Sequence, residues 1–223
     1  MEPSEQRRAH VLRLLTTAMP EPFWIGYQER AKSIYKDAFS AVSADPRLNK
    51  SQRLSKLWQE RHFAMEWLLI DEAKRDGVQA SDTLIAENRC TYALAGHGGV
   101  KMTQKYVQSC GQMPSPAKFR KQLAAVNAFD HQGNFLFGDQ PVELVLPSQL
   151  SGIVLHSPIG KEFTEGDQSI GSIGFYIPYD DYKSWAVQLT FAEIIASYKT
   201  EEKREDRVKP SLRVQEIKKT GSE

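Results

Sequence analysis

The pattern of apolar positions divides the chain into a helical front and an alternating rear. Val11, Leu12, Leu14, Leu15 and Ala18 fall at helical spacing behind Ser4, which can cap, and Pro20 and Pro22 close the segment. Phe23, Trp24, Ile25 and Tyr27 follow as a dense apolar knot. Ala31, Ile34, Tyr35, Ala38 and Val42 then keep one helical face apolar. A second helix is therefore expected over residues 27–43, broken by Asp45-Pro46. The strongest helical signal covers residues 51–75 and closes at Gly77. Its stripe is Leu54, Leu57, Trp58, Met65, Leu68 and Leu69, widened by Phe63, Trp67 and Ile70. That width predicts a helix buried on most sides in its second half, with Trp58 and Leu68 in the core.

The middle of the chain is ambiguous by period. Ser81-Asp82 in N-cap style, followed by Leu84, Ile85, Tyr92 and Ala95, favours a helix ended by Gly96-His97-Gly98-Gly99. The alternation of Cys90, Tyr92 and Leu94 supports instead a β-hairpin that turns at those glycines into Val100 and Met102. Residues 103–110 read as a further helix with Val107 and Cys110 facing inward, and Gly111 permits a sharp turn. Ser115 then caps a third segment, with Pro116 at its first position and Phe119, Leu123 and Val126 as its anchor.

Beyond Val126 the texture becomes β. Asp130-His131-Gln132-Gly133 is turn chemistry, and residues 135–137, 142–146, 153–155 and 170–177 read as strands. Residues 182–198 read as a final helix, with a strand through Trp185, Val187, Leu189 and Phe191 as the alternative. The expected class is α+β. A helical N-terminal bundle (1–77) precedes a basic helical segment of winged-helix-like character and a small mixed β/α region (78–199). Residues 200–223, charged and polar with no apolar stripe, are expected to form a disordered tail.

Composition narrows the picture. A chain of 223 residues with 40% hydrophobic and 26% charged side chains is globular in character, which argues against wholesale disorder. The net charge of +1 hides an asymmetry: residues 78–125 carry +4 and residues 126–200 carry −6. A basic middle suggests an anionic partner, although complementarity between the two halves explains it equally well. Two cysteines make neither a disulfide framework nor a zinc site, and the five histidines are scattered without zinc-ligand spacing. No metal site and no cofactor are expected. No apolar run approaches the ~20 residues of a membrane span and no adequate signal-peptide core follows the N-terminus, so the expectation is a cytoplasmic protein with no membrane partner.

The candidate chemistry lies in the basic middle. Read as a helix-turn-helix, residues 103–126 would present Lys118, Arg120, Lys121 and Gln122 to phosphates or base edges. Lys101 and Lys105 would brace the backbone, and residues 130–146 would form a β wing. The leading expectation is a non-catalytic nucleic-acid-binding or accessory protein: a regulator, or a replication or defence factor. One alternative is a metal-dependent enzyme acting on nucleic acid through Asp139, Glu143 and Asp180. Another is a non-catalytic interaction subunit whose helical bundle docks to a protein partner. The glycine-rich stretch at residues 95–99 lacks the Gly-Lys-Ser/Thr ending of a phosphate loop, and no Gly-x-Ser-x-Gly elbow marks a nucleophile. The sequence therefore assigns no catalytic residue.

Overall fold

The computed structural model describes residues 3–85, 89–129 and 146–208. Three helices lead: α1 (Pro3–Ala18), α2 (Glu21–Ala44) and α3 (Lys50–Arg75). α2 starts earlier than its apolar periodicity suggests. Pro20 serves as its N-cap and Pro22 lies in its first turn, where a missing N–H loses no helical bond. The apolar knot thereby becomes the inner face of α2, with Phe23, Trp24 and Tyr27 buried. α3 opens on a capping box in which the Asn49 side chain accepts from the Gln52 backbone and the Gln52 side chain accepts from Asn49.

Six strands follow, in one sheet whose spatial order is the sequence order. They are β1 (Gln79–Leu84), β2 (Thr91–His97), β3 (Val100–Tyr106), β4 (Leu150–Pro158), β5 (Ile170–Pro178) and β6 (Trp185–Thr190). All neighbours are antiparallel except β3 and β4, whose parallel pairing requires a long crossover that carries the short helix α4 (Lys118–Ala124). α5 (Phe191–Val208) leaves β6 directly. The main core joins α1, α2, α3 and the start of α5 to one face of the sheet. A second cluster on the other face gathers Val107, Ala124, Ile153, Leu155, Tyr176 and Tyr182. β4 is covered on both faces and is buried at every position.

An α+β fold is what the structure shows, and several local readings change. Residues 81–84 and 91–95 follow the hairpin alternative: β1 and β2 pair, and β2 turns into β3 through Gly98 and Gly99, both at positive φ. The supporting helix of a helix-turn-helix is absent from residues 103–110, because β3 continues to Tyr106 and pairs with β4. Cross-strand partners that are remote in sequence outweigh a weak local helical pattern. The next helix is also later and shorter than expected, starting at Lys118 behind Ala117, which offers no side-chain cap. Residues 185–190 form the strand alternative before α5 begins, and α5 continues through Val208 into the segment read as a tail. The expected wing at residues 130–145 lies outside the described residues, as do Asp139, Glu143 and residues 209–223.

The three leading helices do not close on themselves. α2 packs on α3, whereas α1 packs on α5 and β6 and α3 on the first three strands. This arrangement leaves part of α3 uncovered. Phe63 is 65% exposed, Trp67 57% and Trp58 37%, against the expectation of a helix buried on most sides. The Arg30 guanidinium lies over the Trp67 ring at 5.1 Å.

Close packing against β4 leads to a stability prediction. A Cβ built on Gly152 would lie 2.2–2.7 Å from atoms of the Phe175 ring, far inside van der Waals separation. Gly152→Ala is therefore expected to lower stability by ~1–3 kcal/mol through overpacking. Equilibrium urea unfolding measures it, and an unchanged midpoint would show that the Phe175 ring yields freely.

Candidate nucleic-acid interface

The β2–β3 ladder is short. Ala95, Gly96 and His97 pair with Met102, Lys101 and Val100, but residues 91–94 pair only with β1 and residues 103–106 only with β4. The two halves of the sheet thus part at this end. Glu66 of α3 reaches this region, where the Ala93 backbone N–H and the Gln104 side chain donate to its carboxylate. Burial raises the carboxyl's pKa.

Lys105 and Arg120 come together beside this opening. Both line a pocket of about 410 Å³ walled by residues 105–108 and 112–115. Burial lowers the pKa of each cation, and the neighbouring Arg120 adds to the effect on Lys105. Arg120 Nη1 donates to the Ser115 carbonyl at 3.0 Å, its guanidinium lies 4.8 Å from the Phe119 ring centre, and its buried Nε has no partner among the described residues. The turn that leads into the pocket wall is tied to β6. The Trp185 indole donates to the Gly111 carbonyl at 2.8 Å, and Gly111 takes φ +88°, a turn conformation that favours glycine. Tyr182 holds φ +56°, uncommon for a residue with a side chain, and its ring is buried beside Arg120 and Thr103.

The sequence-derived candidates are distributed unevenly. Lys118, Lys121 and Gln122 lie on the exposed face of α4. Arg120 does not share that face: it is half-buried, on the side of α4 that also carries Ala124. Lys101 is exposed near the β2–β3 turn, four residues along β3 from Lys105 and so roughly 13 Å away. Phe119, expected to anchor α4 in a helical core, instead stacks on Tyr92 of β2 with ring centres 4.2 Å apart. A second stack joins Trp58 of α3 to Tyr106 of β3 at 5.8 Å, and Tyr106 borders the pocket. Asp180, a candidate metal ligand, lies exposed in the β5–β6 turn, where it accepts from the Asp181 backbone at 2.9 Å. Among the described residues no three His, Cys, Asp or Glu side chains gather as a metal site.

Behind the opening runs a largely buried polar chain, with His62 at its partly exposed end. The Tyr35 hydroxyl meets His156 Nδ1 at 2.7 Å, His156 Nε2 meets Gln104 Oε1 at 3.0 Å, and Gln104 Nε2 meets His62 Nδ1 at 3.0 Å. The Gln104 carbonyl can only accept, so His156 carries its proton on Nε2 and accepts from Tyr35 at Nδ1. The Gln104 amide can only donate, so His62 accepts at Nδ1 and carries its proton on Nε2, 3.8 Å from Glu66. The Gln104 donor thereby keeps His62 neutral, and burial keeps His156 neutral. Burial takes the pKa of His156 down to about 3, helped by His62, Arg61 and Lys105. It takes His62 down to about 4, helped by Lys105 and Arg120. Fully buried Arg61 flanks the chain over the Tyr35 ring at 4.1 Å and donates to the side chain and carbonyl of Gln168. An arginine one turn beyond Leu57 on an apolar stripe is the one sequence signal that points to this network.

Among the described residues no helix is long and apolar enough to cross a membrane. No family model matches the chain, and comparison with curated proteins and with solved structures finds no match for it.

Proposed function

We propose that the protein binds single-stranded nucleic acid without catalysis, along the face formed by α4 and the free end of β3. The observation that carries this reading is the meeting of Lys105 and Arg120 at one pocket, beside an exposed face bearing Lys118, Lys121 and Gln122. Two aromatic stacks flank it, Tyr92–Phe119 and Trp58–Tyr106. Cations that track phosphates, combined with aromatic rings on which bases can stack, are the usual elements of single-strand recognition. Duplex reading by an inserted helix has no such support. α4 has only seven residues, and β3 stands where a supporting helix would be needed.

The test is a titration of fluorescent oligo-dT, an RNA of the same length and a duplex over a range of salt. Single strands are expected to bind more tightly than the duplex, with log affinity falling linearly against log salt. Replacing Lys118 and Lys121 together with alanine should reduce that slope on a single strand by roughly 0.7 for each phosphate no longer neutralised. Wild-type protein that binds no oligonucleotide at low salt would refute the reading. The basic middle would then be explained as a complement to the acidic half of the chain.

A further inference from the structure

Most of the cations on this face are exposed, but Lys105 and Arg120 are not, and the difference calls for a cause. Taking two like charges partly out of water is unfavourable unless something anionic meets them. Lys105 makes no hydrogen bond or ion pair among the described residues. Among the described residues Arg120 has the Ser115 carbonyl and the Phe119 ring but no anion in hydrogen-bond contact, and it leaves its Nε unmatched. Glu66 is the one carboxylate whose field both cations feel among the described residues, and it is already engaged by the Ala93 N–H and Gln104. Among the described residues one carboxylate thus stands against two cations, and the neutral His62 and His156 behind the pocket add no further charge.

The pocket also has room for more than a bare anion. At about 410 Å³ it falls within the range of small-molecule sites, which begins at ~300 Å³. Its walls are of two kinds. Half-buried Tyr106 and Met113 offer apolar surface for a planar ring, backed by buried Pro114, and Gln108, Gln112 and Ser115 offer polar groups for its edge or for a sugar. We propose that this pocket is a nucleotide subsite in which Lys105 and Arg120 hold the phosphate and the wall of Tyr106, Met113 and Pro114 receives the base. The subsite rests on the nucleic-acid reading, in which it would take one nucleotide of the bound strand. Arg120 offers a planar donor array to two phosphate oxygens, and Lys105 supplies a point charge.

The experiment measures binding of thymidine 5′-monophosphate, thymidine and inorganic phosphate to the full-length protein by calorimetry at low salt, with oligo-dT in parallel. The monophosphate is expected to bind at least tenfold more tightly than thymidine or phosphate alone. Lys105→Met and Arg120→Met should each weaken it at least tenfold, and Arg120→Lys should restore part of the loss. Lys50→Ala, an exposed cation at the start of α3, serves as the control and should change nothing. If Arg120→Met fails to fold, Lys105→Met together with the phosphorus NMR shift of the bound nucleotide carries the test. Oligonucleotide binding that survives Lys105→Met with an unchanged salt slope would overturn the subsite and leave the wider interface standing. Nucleotide binding without any oligonucleotide binding would uphold the subsite and remove the single-strand reading. Phosphate binding as tight as the nucleotide would overturn the role given to the base wall.

Discussion

Asn127→Ala is expected to lower the stability of the protein by about 3–5 kcal/mol. Asn127 is fully buried just beyond α4 and ties three backbone groups together. Its amide donates to the Ser151 carbonyl and to the Pro178 carbonyl, both at 2.8 Å, and its carbonyl accepts from the Ser151 N–H at 2.7 Å. Alanine leaves all of these groups buried without a partner, and each unmatched group costs ~1–3 kcal/mol. The side chain is in effect the clasp between α4 and the central strands β4 and β5. Its loss should therefore also weaken nucleotide and oligonucleotide binding, because Arg120 would no longer be held at the pocket. Asn127→Asp keeps the acceptor but replaces the donor with a buried charge, so it should be at least as damaging. Denaturant unfolding with an unchanged slope and a lower midpoint would bear this out. A wild-type midpoint in Asn127→Ala would mean that the clasp is dispensable.

Acid should destabilise the fold through the buried imidazoles, beginning well above the range in which most carboxylates protonate. His156 and His62 have folded pKa values of about 3 and about 4, below the ~6.5 of an unfolded histidine. The unfolded chain thus takes up protons first as pH falls. The stabilisation is complete above ~6.5 and is lost progressively as pH drops toward the folded values. Each such histidine contributes up to ~1.4 kcal/mol per pH unit in that window. His62, with 32% of its side chain exposed, contributes less because solvent screens it. Glu66 works in the opposite direction, since a carboxyl with a raised folded pKa binds its proton more readily in the native state. The clean comparison is with His156→Phe. That variant is less stable at pH 7.5, because Tyr35 and Gln104 lose their partner, but its stability should fall less steeply between pH 6.5 and 4.5. Parallel pH profiles for the two proteins would show that His156 is not buried as a neutral ring.

The same kinds of interaction explain why some of the structure is readable along the chain and some is not. Asn49 and Gln52 cap α3 within one turn, and Pro22 opens α2 by fixing its own backbone angle. Such interactions are local, so the existence of the three leading helices can be read from spacing, whereas Pro20 and Pro22 read along the chain as the end of α1 and only the structure makes them the start of α2. The strands β4 and β5 are similarly open to sequence reading, through their runs of alternating or continuous apolar residues bounded by turns. The segment at residues 103–110 carries no comparable local signal. Its Thr103 and Gln104 suit either state, and the ladder with Ile153 and Val154, some fifty residues away, decides for a strand.

The chain by itself therefore determined the α+β class, the three leading helices, the strands of β4 and β5, and the presence of a basic stretch around Lys101 and Arg120. Tertiary structure alone decided that β3 runs parallel to β4 and that the sheet parts between β2 and β3. It also turned Arg120 inward to meet Lys105 while leaving Lys118 and Lys121 outside. It gathered Tyr35, His62, Gln104 and His156, from two helices and two strands, into one buried chain. Helical periodicity and caps act over three or four residues and leave a mark on the sequence. Strand pairing and the burial of polar groups depend on partners distant in the chain, and local pattern does not name those partners.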